Sequence, residues 1–120
     1  MTTALISAMT MENQRTGKRL ADNVREASNP LSRSVGLLGK KTLPDGEALL
    51  IRPCWSIHTW FMRFALDVIF LDREDRVVKV ALNMGPWRMA VAKGAHSVIE
   101  MKAGSIAEGD LAPGDQLILR

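Results

Sequence analysis

One segment of the chain, residues 53 to 72, mixes reactive side chains with aromatic ones. It contains the single cysteine, Cys54, together with His58, Arg63 and Asp67, and it holds two of the three tryptophans and all three phenylalanines. Cysteine and histidine can act as nucleophile and general base, and the guanidinium group of arginine can hold an anion. We therefore look for a functional site in this segment first.

The nearest approach to a catalytic motif is Cys54 with His58, four residues apart. One interpretation is a hydrolytic enzyme in which Asp67 orients His58. The favoured interpretation is structural: a buried thiol and a core histidine bonded to the backbone, because buried cysteines are commonly inert. A metal site would need His96 and a fourth ligand to converge with these two residues, and no spacing supports that. We predict neither a metal nor a cofactor.

Four charged residues and one tryptophan complete the set of candidates. Asp67 begins an apolar strand, so its charge needs a partner, and Arg63 across the intervening bend is the natural one. One role for this pair is structural: it stabilises the turn. In the other, Arg63 uses its N–H donors to bind an anion in a cleft. Trp87 and Arg88 lie in a loop, where the indole either caps the core or lines a groove. Glu100 is expected to form a salt bridge or cap a short helix.

The elements that position these residues are mostly short strands separated by turn signals. Alternation of apolar residues, β-branched runs and Gly or Pro punctuation predict an opening hairpin, a central strand and a charged hairpin loop at 72–75. The predicted extended segments are 4–14, 18–27, 48–51, 57–64, 67–71, 76–82, 97–101 and 116–119. Two helical pieces are expected, one from Pro30 to about Leu38 and one single turn over 103–108.

Length and composition allow one domain spanning residues 1–120. The chain has 47% hydrophobic and 24% charged residues, which is ordinary for a globular domain. The strand pattern predicts a mainly β fold, a compact β-sandwich or barrel-like domain with one or two short helices. A single cysteine excludes an internal disulfide.

Charge and hydropathy limit the partners. The net charge of +3 is modest, and the basic first third, with seven Lys or Arg against three acids in residues 1–41, contains no aromatic residue. We therefore do not expect nucleic-acid binding. No apolar run approaches the ~20 residues of a transmembrane helix, and no secretory signal is recognisable, so we expect a cytoplasmic protein without a transmembrane segment.

Several sequence blocks extend over nearly the whole chain in a defined order. They are Arg33-x-x-Gly36-Leu37-Leu38-Gly39-Lys40, Gly46-Glu47-Ala48-Leu49-Leu50, Pro53-Cys54-x-Ser56-Ile57-His58-Thr59-x-Phe61-Met62-Arg63-Phe64 and Leu66-Asp67-Val68-Ile69-Phe70-Leu71-Asp72, followed by Pro86-Trp87, Gly94-Ala95, Glu100, Ala103-Gly104 and Gly114-Asp115. By these blocks the chain resembles the bacterial domain of unknown function 192 family. The resemblance implies a compact, mostly β domain with a short helix near Gly36, and no established activity. Ala65 stands where this branch of the family commonly has proline.

The function predicted from the sequence is a small noncatalytic binding or accessory module. Its groove would take a small anionic or amphipathic ligand, or a partner chain, through His58, Arg63, Asp67, Trp87 and Arg88. The alternative is the hydrolytic enzyme described above.

Overall fold

The structure is a computed structural model that describes residues 9–27, 43–60 and 62–120. Nine β-strands make up its regular structure: β1 (Met9–Asn13), β2 (Arg19–Ala27), β3 (Glu47–Ile51), β4 (Ser56–His58), β5 (Leu66–Leu71), β6 (Val77–Met84), β7 (Met89–Val91), β8 (Ser97–Lys102) and β9 (Leu117–Leu119). The described residues contain no helix. The predicted helical turn over 103–108 is wrong, because this segment makes a tight turn in which the Ser105 N–H donates to the Lys102 carbonyl at 3.0 Å. The helix predicted from Pro30 lies outside the described residues.

Seven strands form one curled sheet in the order β6-β5-β8-β3-β2-β1-β9, and only the β2–β3 pair is parallel. The two ends of the sheet meet. The Val77 N–H donates to the Asp115 carbonyl at 2.8 Å, and the Gly114 N–H donates to the Val77 carbonyl at 2.8 Å. The predicted mainly β, barrel-like architecture is confirmed in this curled form.

The concave side of the sheet encloses the larger hydrophobic core. Its members alternate along the strands and include Met11, Val24, Leu50, Ile69 and Ile99, all at most 1% exposed. Every residue of β5 is buried, because core residues cover both faces of this strand. A near-continuous apolar run is typical of strands buried on two sides.

A second apolar cluster covers the opposite face of β5 and β8. It includes Val68, Phe70 and Val98 from the sheet, and Ile57 from the separate two-stranded ribbon β4–β7. The ribbon is therefore attached to the sheet through its inner, apolar side.

Hydrogen bonds to Asp115 connect the first described strand and the turn after it with the C-terminal part of the chain. Its carboxylate accepts hydrogen bonds from Asn13 Nδ2 at 2.8 Å, Arg15 Nε at 2.7 Å and the Ala112 N–H at 2.9 Å. The Arg15 guanidinium holds the pKa of this carboxyl well below its usual range, although burial opposes the effect.

The locally determined elements agree with the sequence prediction. The opening hairpin forms as β1–β2, and the charged hairpin forms as β5–β6, where Asp72 Oδ1 accepts the N–H groups of Glu74 and Arg76, both at 2.9 Å. The extended segment predicted over 57–64 is wrong beyond His58, because the chain turns at Thr59. Strand β7 was not predicted; three residues between a turn and a glycine give little periodic signal.

Candidate functional site

The β4–β7 ribbon has one face on the core and one in solvent. Its register pairs Ile57 with Ala90 and His58 with Met89. Ile57 is buried in the second cluster, whereas Met89 is 62% exposed and His58 is also exposed. Because side chains alternate between the two faces of a strand, Met89 and His58 both point into solvent on the outer face of the ribbon.

Three exposed tryptophans lie within two residues of the ribbon strands in the sequence. The Trp60 ring stacks on the His58 ring with centroids 4.7 Å apart and an interplanar angle of 28°. Trp55 and Trp87 are 61% and 63% exposed. The interpretation of His58 as a core histidine is therefore wrong, and Trp87 does not cap the core.

Thr59 joins the two sides of the ribbon. It is fully buried, and its hydroxyl donates to the Gly85 carbonyl at 2.6 Å and accepts the Arg88 N–H at 2.9 Å. Its backbone N–H donates to the Arg88 carbonyl at 2.8 Å, and its carbonyl accepts the Trp87 N–H at 3.1 Å. One residue thus fixes the loop that carries Trp87 and Arg88.

The backbone at Trp87 has an unusual conformation. Its φ is +62°, in the left-handed region that bulky residues rarely adopt. Such a conformation costs of order 1–3 kcal/mol and persists only where surrounding contacts determine it. Here the bonds to Thr59 supply those contacts.

Cys54 lies at the edge of this region. Its thiol donates to the Ser56 carbonyl at 3.1 Å, its N–H donates to the His96 carbonyl at 2.8 Å, and its side chain packs against the second cluster. This arrangement agrees with a structural thiol. Within the part of the chain that the structure describes, no three His, Cys, Asp or Glu residues are grouped to hold a metal ion.

Asp67 is separated from the exposed ribbon residues. It is 1% exposed, and its carboxylate accepts the N–H groups of Asn83 at 2.8 Å, Gly104 at 3.1 Å and Ile106 at 3.0 Å. Its register partner Met101 belongs to the core on the concave side. Asp67 therefore connects the end of β6 to the loop after β8.

The expected ion pair between Arg63 and Asp67 is wrong: no such pair forms among the described residues. Arg63 is exposed, and backbone amides satisfy Asp67 instead. Arg88 is exposed beside Trp87. Of the predicted site residues, the fold brings His58, Trp87 and Arg88 together around Thr59. Arg63 lies just beyond the turn in which the Met62 N–H donates to the Thr59 carbonyl at 3.1 Å.

The sequence analysis missed the roles of two relevant residues and predicted the wrong role for a third. Thr59 was named only within a sequence block and given no role, because its position between His58 and Trp60 does not mark a buried hydroxyl. Met89 could not be identified because its strand, β7, was not predicted, and only the pairing of β7 with β4 places Met89 beside His58. Glu100 was expected to form a salt bridge or cap a helix, and among the described residues it does neither. It is 8% exposed within β8, and burial alone raises its pKa to about 7.

Comparison with known proteins places the chain among uncharacterised relatives. A UPF0127 protein from Pyrococcus furiosus is 34% identical over 113 residues, covering 89% of this chain and 95% of the relative. A UPF0127 protein from Pyrococcus horikoshii is 39% identical over 87 residues, covering 68% of this chain and 73% of the relative. Both organisms are archaea, so the resemblance is not restricted to bacterial proteins.

Solved structures share the fold. A protein of unknown function from Novosphingobium aromaticivorans superimposes with a TM-score of 0.79 at 24% identity, covering 94% of this chain and 84% of the other. A protein from Sinorhizobium meliloti gives a TM-score of 0.80 at 18% identity, covering 92% and 91%. None of the described segments forms a helix of the length and apolarity needed to cross a membrane. The family model DUF192, uncharacterized ACR, matches residues 11–119, and the chain belongs to that family.

Proposed function

We propose that this protein is a noncatalytic binding module whose β4–β7 ribbon docks a partner chain that carries both apolar and acidic side chains. One observation is central to the proposal. Of the six large hydrophobic side chains that are exposed among the described residues, five lie on or beside the ribbon: Trp55, Trp60, Trp87, Met89 and Val91. We call these five residues, with His58, the ribbon face. Concentrated exposed apolar surface marks interaction sites in otherwise water-soluble folds.

The composition of the ribbon face favours a protein partner. Tryptophan, methionine and arginine are enriched at interfaces, and tryptophan and arginine dominate binding energy there. Two of the indoles are more than 60% exposed, so they protrude from the surface. Protruding side chains suit insertion into a partner better than enclosure of a small molecule, which requires a concave site.

The charge around the ribbon face supports an acidic partner. Arg63, Arg88 and Lys93 are exposed close to it in sequence. No Asp or Glu occurs from residue 54 to 66 or from 76 to 99. Complementary charge steers association and selects among partners.

The position of Asp67 supports binding over hydrolysis. A catalytic Cys–His pair needs a third group to orient the imidazole. The carboxylate of Asp67 is directed to three backbone N–H groups instead. In this proposal Asp67 contributes indirectly, because it holds Asn83 shortly before the loop that carries Trp87.

The test is selection of random 12-residue peptides displayed on phage against the intact protein. We expect the enriched peptides to be acidic and to contain Leu, Ile or aromatic residues. A synthetic fluorescein-labelled peptide from that set should bind in an anisotropy titration. Trp87→Ala and Arg88→Glu should each weaken the binding about tenfold or more, the size expected of a hot-spot residue.

Two matched variants serve as controls. Leu82→Ala removes the exposed large hydrophobic side chain that, among the described residues, is not part of the ribbon face. Arg73→Glu reverses an exposed charge in the β5–β6 loop. Both should bind the peptide as the wild type does. Failure to enrich any peptide, enrichment of basic peptides only, or binding to anionic phospholipid vesicles without binding to peptides would overturn the proposal.

A further inference from the structure

Glu100 lies in an apolar environment on the sheet. Its cross-strand neighbours are Leu49 on β3 and Val68 on β5, and the same face of β8 carries Val98. The side chain is 8% exposed. A carboxylate in such a position is costly unless a hydrogen bond or an opposite charge compensates it.

Neither of the two nearest described cations along the sheet donates a hydrogen bond to Glu100. Lys102, two residues along β8, donates to Asp45 Oδ1 at 2.6 Å. Arg25, which pairs with Leu49 from the other side, is exposed. Among the described residues, none donates a hydrogen bond to the Glu100 carboxylate, and burial is the sole cause of its raised pKa. Desolvated acids without a structural partner are typical of functional sites.

A second acceptor without a donor lies on the same face. Asn23 Oδ1 is buried and has no hydrogen-bond partner in the described part of the chain. The register pairs Asn23 with Glu47 and Leu49 with Glu100, so these side chains share the outer face. At about 4.8 Å between strands and 3.3 Å per residue, Asn23 and Glu100 are about 12 Å apart at Cα. Two oxygen acceptors thus lack donors across three adjacent strands.

We propose that Glu100 is the anionic anchor of a binding site on the outer face of β2, β3 and β8, which takes the ammonium or guanidinium group of a ligand with an alkyl chain. The cationic group would donate to the Glu100 carboxylate, and the alkyl chain would lie against the half-buried side chain of Leu49. Asn23 Oδ1 accepts a further donor of the same ligand. This site is independent of the ribbon face, since it requires a cation where the ribbon face requires an anion.

The experiment uses the 120-residue protein labelled with ¹³C at the glutamate carboxyl groups. n-Butylammonium and n-butylguanidinium chloride are titrated at pH 8 and pH 5, with n-butanol as the uncharged analogue. We expect a saturable shift of the Glu100 carboxyl resonance at pH 8, and affinity at least about tenfold lower at pH 5, where Glu100 is mostly protonated. n-Butanol should not produce that shift.

Variants separate the site from general apolar binding. Glu100→Gln should abolish the response, whereas Glu74→Gln, an exposed residue in the β5–β6 loop, should leave it unchanged. Asn23→Ala should weaken binding severalfold. The wild-type titration tests the proposal even if a variant folds poorly. Equal response to n-butanol and n-butylammonium, or no response of Glu100 to either cation at pH 8, would refute it.

Discussion

The rings of His58 and Trp60 stack at a centroid distance of 4.7 Å, on the solvent side of the ribbon. The imidazole therefore restrains an indole that is 42% exposed. Rigid aromatic side chains bind with little loss of conformational entropy. The stacked pair thus presents a preformed apolar surface beside Met89, the register partner of His58.

Replacing His58 should affect binding more than stability. In His58→Ala, Trp60 loses its stacking partner, so we expect peptide affinity to fall about threefold to tenfold, corresponding to the 0.5–1.5 kcal/mol of an aromatic pair. The free energy of unfolding should change by no more than about 0.5 kcal/mol, because the side chain is exposed. Anisotropy titration and urea denaturation measure the two quantities. A loss of stability without a loss of affinity would contradict this account.

Removing the hydroxyl of Thr59 should release the loop that carries Trp87 and Arg88. Thr59→Val preserves shape but deletes the bonds to the Gly85 carbonyl and the Arg88 N–H. We expect a loss of about 1–3 kcal/mol in urea denaturation, because two backbone groups lose their partner. Faster amide hydrogen exchange should be confined to residues 85–88.

Thr59→Ser is the matched control, since it keeps the hydroxyl. This variant should keep the wild-type protection of residues 85–88 against hydrogen exchange and most of the wild-type peptide affinity. Unchanged exchange in Thr59→Val would show that the loop is held by other contacts.

Asp67→Asn should destabilise the fold strongly. The Asp67 carboxylate accepts three N–H groups, one on Oδ1 and two on Oδ2. The side chain of asparagine has only one acceptor oxygen, so its NH₂ group would face one or two of these N–H donors and could not accept from them. We expect a loss of about 2–4 kcal/mol, the range for a buried charge-assisted network left partly unsatisfied. Asp22→Asn, at a side chain that is 74% exposed, should change stability little. Similar urea midpoints for both variants would contradict the role assigned to Asp67.

The predictions that succeeded depended on neighbouring residues, and those that failed depended on distant ones. The β5–β6 hairpin follows from Asp72 and the apolar runs on either side of it. The partners of Asp67 are instead 16, 37 and 39 residues away, so the closest cation in sequence, Arg63, was the wrong choice. Likewise, the exposure of His58 depends on its register with Met89 in a strand too short to recognise. The concentration of aromatic residues in one segment could be seen in the sequence. The direction of their side chains depends on the pairing of β4 with β7, which the sequence did not predict.

Glu100 should make the stability of the protein fall as pH rises. Its pKa in the folded state is about 7, above the value of 4.5 for an exposed glutamate, so the folded state binds more protons between these pH values. Its ionisation penalty is absent below about pH 4.5, grows as pH rises, and is complete above about pH 7. A shift of this size corresponds to roughly 3 kcal/mol.

Urea denaturation of the wild type and of Glu100→Gln between pH 5 and pH 8 isolates this contribution, because all other titrating groups are common to both. We expect the difference in unfolding free energy between variant and wild type to increase by about 2.5 kcal/mol over this range, because part of the penalty is already present at pH 5. A difference that stays constant with pH would mean that Glu100 is charged in the folded protein at pH 5 and has a partner that compensates it.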